Sequence, residues 1–183
     1  MPFFLPVSLH GAHELGISLR EYFAGAKNIV EAQLRLRAKY RHDCVTTYFY
    51  AAIELEAWGG DVIYFEDGPP NAGVPIINKP EEIKRLTLPK VNSAACLKKV
   101  LIATETLKDK ITDAPIVGVV ISPFSLPVMQ MGFDKYIELM YERPELFWHL
   151  IRLNEEFCVD WANAQLAAGA DMIVYFDPVS SST

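Results

Sequence analysis

Four short apolar runs, Phe3–Leu9, Cys44–Phe49, Pro115–Ile121 and Asp171–Phe176, are spaced along 183 residues with helix-periodic sequence between them. This alternation constrains the fold more than any other feature of the chain. Each run has the length and β-branched or aromatic content of a buried strand. The intervals are far too long for hairpins, so the strands must be joined by crossovers and must lie parallel. Right-handed crossovers carry the helices to one side of the sheet. The expectation is therefore an α/β chain with strands in the order in which they occur and helices on the outer side.

The intervening segments carry their own start and stop signals. Ser18 with Glu21, and Asn28 with Glu31, have the spacing of capping boxes, followed by helix to about Tyr40. AAIELEAW reads as a short helix ending at Gly59 and Gly60, and Asp61 to Phe65 as a small extra strand. EDGPPNAGVP is rich in turn formers and is expected on the surface. Ser93 can cap a helix to about Lys110, and Gly132 to Tyr141 suits another. Pro144 fits the first turn of a long helix whose apolar residues recur every three or four positions until Gly169. No internal repeat, low-complexity stretch or linker divides the chain, which is expected to be one domain.

Composition narrows the function classes. With 51% hydrophobic and 22% charged residues, the chain has the balance of a globular protein. A net charge of −6 without any Lys/Arg cluster excludes nucleic acid as an expected partner. No apolar run reaches the ~18 residues of a membrane span. Cys44, Cys96 and Cys158 are widely separated, so no disulfide framework or metal knuckle is indicated, and the cytoplasm is the expected location.

Three stretches bear a wider likeness: AAIELEAWGGDV with the downstream EDGPP, GVVISPFSLPVMQMG, and AGADMIVYFDPVSSST. In order and spacing they resemble the uroporphyrinogen decarboxylase superfamily, which includes the decarboxylase of haem synthesis and cobalamin-dependent methyltransferases. The resemblance implies a (β/α)₈ TIM barrel of roughly twice this length, with the active site at the carboxyl ends of the strands. This chain would supply about its amino-terminal half, ending just past a strand. An exposed strand edge of that kind would favour self-association or pairing with a second half.

Within the superfamily, the decarboxylases carry an arginine-rich motif after the first strand, where this sequence reads SLHGAHELG, and an aspartate where Tyr50 stands. The methyltransferase branch is matched by Glu54-x-Glu56 and by Asp177-Pro-Val-Ser-Ser. The resemblance then implies methyl transfer from methylcobalamin, carried on a corrinoid partner protein, to a small thiol or folate acceptor. It also implies a zinc that activates the thiol, with ligands expected only in the missing carboxyl-terminal half and no metal ligand assigned here. A tetrapyrrole decarboxylase and a non-catalytic half-barrel assembly piece are the alternatives.

The candidate site residues follow from strand ends and from this resemblance. Asp177 and His10 are the candidate catalytic groups, each placed just past a strand. His13, Tyr50, Glu54, Ser122, Phe124, Tyr175 and Ser180 are candidates for substrate binding. Glu54 and Glu56 lie two apart and face differently on a regular helix, whereas Tyr48 and Tyr50 share one strand face. Phe124 can equally pack under the next helix, and Tyr175 can face the core. Parallel topology predicts that His10, Tyr50, Ser122 and Asp177 gather at one end of the sheet.

Overall fold

The computed structural model describes residues 9–47 and 49–180. Its main sheet has three parallel strands, β1 (Val45–Thr46), β4 (Ile116–Ile121) and β5 (Met172–Phe176), in the order β1-β4-β5. Val45 pairs with Ile116, and Val117 to Ile121 pair with Met172 to Phe176. A separate antiparallel pair, β2 (Val62–Ile63) and β3 (Asn71–Ala72), occupies the excursion after the second predicted strand. The α/β class, the parallel pairing and the sequential order of the three described strands agree with the sequence reading. Most of the predicted first strand, and Tyr48, lie outside the described residues.

Eight α-helices accompany the strands among the described residues: α1 (His10–Leu15), α2 (Leu19–Tyr22), α3 (Ala26–Tyr40), α4 (Ile53–Ala57), α5 (Ala95–Lys110), α6 (Leu126–Met131), α7 (Phe133–Glu142) and α8 (Pro144–Ala167). The α8 boundaries follow from chemistry. Pro144 occupies the first turn, where its missing N–H costs nothing, and Gly169, at φ +107°, leaves the helix in a backbone region that L side chains avoid. At α2 the Ser18 hydroxyl accepts from Glu21 N–H at 3.2 Å, as its spacing predicts. The second predicted box is not a cap: α3 begins at Ala26, and Asn28 inside it donates to the Glu21 carbonyl at 2.8 Å. α6 has no counterpart in the sequence reading, since Pro127 reads as a breaker unless it falls in a first turn, as here.

Helices α3, α5 and α8 cover one face of the sheet. Val45, Ile116 and Val120 share a buried cluster with Ile29, Val30, Leu97, Val100, Phe157 and Trp161. Each fully buried aromatic or aliphatic side chain in this layer contributes about 2 kcal/mol through removal from water. On the opposite face Met172, Val174 and Phe176 of β5 are exposed, whereas their β4 partners Val117 and Ile121 are buried. Ile173 lies on the helix side, within van der Waals reach of where a Gly118 side chain would stand. A second cluster, containing Ile77, Ile83, Tyr136, Leu139, Leu146, Phe147 and Val179, packs around α7 and the start of α8. Gln130 of α6 and Asn154 of α8 join these regions by reciprocal buried amide bonds of 3.0 and 2.9 Å.

The edge of β4 facing β1 is completed by side chains. Val45 N–H and Thr47 N–H bond the carbonyls of Pro115 and Val117, after which the β1 segment diverges. Gln165 then imitates a strand, accepting from Val119 N–H and donating to Val119 C=O, both at 3.1 Å. At the next position Glu54 accepts from Ile121 N–H at 3.2 Å, and the Cys158 thiol donates to Ile121 C=O at 3.2 Å. Buried backbone groups must be paired, and here three side chains pair them where a strand does not.

Candidate functional site

Parallel strands put their carboxyl ends on one side, and there β4 ends at Ile121 and β5 at Phe176. Asp177 follows β5 directly. Its Oδ1 accepts from the Ser125 hydroxyl at 2.6 Å, and the Ser125 oxygen accepts in turn from Val179 N–H at 3.2 Å. Ser125 N–H donates to the Ser122 hydroxyl at 3.0 Å, and Ser122 N–H donates to Phe176 C=O at 2.9 Å. Partial burial works against the Asp177 charge, yet the hydroxyls of Ser125, Ser122 and Ser180 and the Ser180 N–H together hold its carboxyl below the usual range. The result is an ionised carboxylate fixed among hydroxyls at the end of the sheet.

Tyr136 of α7 borders this cluster. Its ring is fully buried against Phe124 and Phe147, with centroids 5.6 Å away in each case, and its hydroxyl has no hydrogen-bond partner. Burial, reinforced by the Asp177 charge, pushes its phenol well above the ordinary value.

Beyond β1, Tyr50 is also buried, and its hydroxyl donates to Glu56 Oε2. It packs edge-on to Phe23 at 5.2 Å and to Tyr64 at 6.1 Å, and the Arg20 guanidinium lies 4.9 Å from the Tyr64 ring centroid. Burial and the carboxylate of Glu56 raise the Tyr50 phenol strongly, so it stays a hydrogen-bond donor. Glu54 is only 2% exposed, and burial pushes its carboxyl up to about 7. One oxygen holds Ile121 N–H, and the Trp161 indole N–H lies near the carboxyl but outside hydrogen-bond geometry.

Not all the sequence candidates come together. Ser122, Ser180 and Asp177 form one cluster, and Tyr50 lies beyond the same end of the sheet. Glu54 is sealed between sheet and helices. Phe124 packs in the core beside Tyr136. Tyr175, 52% exposed, shares the helix-side face with Ile173, within electrostatic reach of Cys158 and Glu155. The strand expected before His10 lies mostly outside the described residues, and His10 itself opens α1, with Nε2 3.3 Å from the Tyr40 hydroxyl. Tyr40 ends α3, immediately before the amino end of β1, so His10 lies at the opposite end of the sheet from Asp177. The expected gathering of four residues therefore excludes His10. The apolar start of the chain masks a helical turn at residues 10–15, where Ala12, Glu14 and Leu15 are good helix formers. His13 is exposed on that helix and borders a shallow cavity of about 160 Å³ with Glu66 and Asp67.

The sequence reading missed Ser125 and Tyr136. The signal available for Ser125 was its spacing from Ser122, three residues on and just past a strand. Among the described residues, no group of three His, Cys, Asp or Glu side chains could hold a metal ion. All three thiols are buried, and burial raises those of Cys96, to about 11, and Cys158. These residues do not fit a zinc-thiolate centre. No helix among the described residues is long and apolar enough to cross a membrane.

Residues 7–183 match the family model for uroporphyrinogen decarboxylase. Similar curated proteins include a uroporphyrinogen decarboxylase of Nitrosospira multiformis, 26% identical over 63% of this chain and 33% of that protein. One from Methylococcus capsulatus is 29% identical over 80% of this chain and 43% of its own length. A methylcobamide:CoM methyltransferase of Methanosarcina barkeri is 30% identical over 45% of this chain and 24% of that protein. A solved methyltransferase from Methanosarcina mazei superposes with a TM-score of 0.85 at 19% identity, covering 93% of this chain and 51% of that one. The chain spans about half the length of that fold.

Proposed function

Since this chain belongs to the uroporphyrinogen decarboxylase family, we propose that it works on the methyltransferase side of that family. In this reading it forms half of a barrel that moves a methyl group between methylcobalamin, held by a corrinoid partner protein, and a small thiol or folate acceptor. The observation that carries the reading is the chemistry at the carboxyl ends of the strands. The groups brought together there are the Asp177 carboxylate with its serine hydroxyls, the Tyr50–Glu56 pair and the neighbouring rings of Phe23 and Tyr64. Decarboxylation of a porphyrinogen requires several substrate carboxylates to be bound, and desolvating them calls for clustered cations, above all arginines. An ionised Asp177 at that end of the sheet would repel the carboxylates of such a substrate.

The corrinoid supplies the methyl group, and the residues of this chain orient the acceptor. Asp177, held ionised and immobile, accepts a hydrogen bond from an acceptor thiol or amine and directs it. Its low proton affinity makes it an orienting group and a poor base for a thiol, which ordinarily titrates near 8.5. Because the described residues do not form a zinc centre, thiol activation is not assigned to them. The single half-barrel domain, with β5 as an edge, leaves the remaining strands to a second half.

The reading is tested by binding. Chain fluorescence from Trp58, Trp148 and Trp161 is titrated with a methylcobalamin-loaded corrinoid protein and, separately, with a porphyrin polycarboxylate. Saturable binding of the first but not of the second supports it. The reverse preference overturns it in favour of the decarboxylase.

A further inference from the structure

We propose that Ser125 is the positioning residue of this site, clamping Asp177 and the turn after it to the carboxyl end of β4. The inference rests on the methyl-transfer reading of Asp177 and extends it to a residue inside the stretch GVVISPFSLPVMQMG that is not among the candidate site residues. Ser125 is 2% exposed, in the turn between β4 and α6. A serine hydroxyl has one proton and two lone pairs. One lone pair takes Val179 N–H at 3.2 Å, and the single proton goes to Asp177 Oδ1 at 2.6 Å. Ser125 itself is anchored by its own N–H, which bonds both the hydroxyl and the carbonyl of Ser122, at 3.0 and 3.1 Å.

One side chain thus ties together the turns that follow two strands, joining residues 52 positions apart. With its proton committed, Ser125 stabilises Asp177 only as the charged acceptor. Val179 is buried in the cluster around α7, so the turn carrying Asp177 is held from below as well. The buried Tyr136 hydroxyl, without a hydrogen-bond partner, feels the Asp177 charge, so movement of the carboxylate would register there too.

The test follows the Asp177 carboxyl by carbon NMR as pH is lowered, in the 183-residue chain. Ser125→Ala is expected to raise its midpoint by about one unit, a roughly tenfold gain in proton affinity, and Ser125→Thr, which keeps the hydroxyl, is expected to restore it. Thermal melts establish that each variant is folded. Should the threonine methyl prove too large, non-additive urea midpoints for Ser125→Ala and Asp177→Asn supply an independent readout of the clamp. An unchanged midpoint in folded Ser125→Ala, or strictly additive urea midpoints, overturns the proposal. Activity is read separately, in a barrel completed by a second half. There the acidic limb of the kcat profile should move up with the NMR midpoint while KM changes little. If the midpoint moves and the profile does not, Ser125 still positions Asp177 and the methyl-transfer role of Asp177 falls.

Discussion

Replacing Glu54 with glutamine should make the protein more stable at alkaline pH and abolish a pH dependence that the native chain shows. Glu54 is completely buried, and its carboxyl, ordinarily at 4.5, is raised to about 7. The folded state therefore binds a proton more tightly than the unfolded state. The resulting stabilisation is fully present below pH 4.5 and is lost as pH rises through 7. A difference of 2.5 units (7 − 4.5) at 1.36 kcal/mol per unit corresponds to about 3 kcal/mol. In Glu54→Gln the new side chain keeps an oxygen for Ile121 N–H and carries no charge to desolvate, but its amide protons face a site shared with the Trp161 indole, costing about 1 kcal/mol. The net expectation is a gain of about 2 kcal/mol at pH 8 and a small loss at pH 5. Urea unfolding of both proteins across this range measures it. Parallel pH profiles would refute the reasoning, because the difference between the two proteins isolates Glu54 from every other titrating group.

Three further outcomes follow from the same sheet. Gln165→Ala leaves Val119 N–H and C=O buried and unpaired, and should cost about 2 to 3 kcal/mol in urea unfolding. Gly118→Ala would place a Cβ 2.7 Å from both Gln165 Oε1 and Ile173 Cδ1, so a loss of about 1 to 3 kcal/mol is expected, and a neutral result would show that Gln165 is not held where the sheet needs it. Cys44, Cys96 and Cys158 are buried, so labelling by a thiol reagent at pH 8 should proceed only as fast as the chain opens, and immediate modification of any one would contradict its burial.

The sequence made the sheet legible where strands are long and apolar. PIVGVVI and MIVYF form β4 and β5 within a residue of their expected limits, and Pro144 and Gly169 bracket α8. It was less legible where one pattern serves two structures. Asn28 with Glu31 has capping-box spacing, yet Asn28 is spent on the Glu21 carbonyl one helix away. His10 follows an apolar run but begins a helix, and so lands near Tyr40 at the far end of the sheet. Polar residues such as Gln165, Asn154 and Ser125 carry no periodic signal. Their purpose emerges only when the fold brings Val119, Gln130 and Asp177 within hydrogen-bond distance. Glu54 begins a family-like Glu-x-Glu and so reads as ligand-facing, whereas tertiary packing directs it at Ile121 N–H.

Following a labelled methyl carbon tests the central claim most directly. The chain, completed by a second half-barrel, is given methyl-labelled methylcobalamin on a corrinoid protein, a panel of small thiols and a folate acceptor, with uroporphyrinogen supplied in parallel. The account predicts label on an acceptor, none when the 183-residue chain is used alone, and no carbon dioxide from uroporphyrinogen. Label retained on the corrinoid while uroporphyrinogen loses its carboxylates would contradict it.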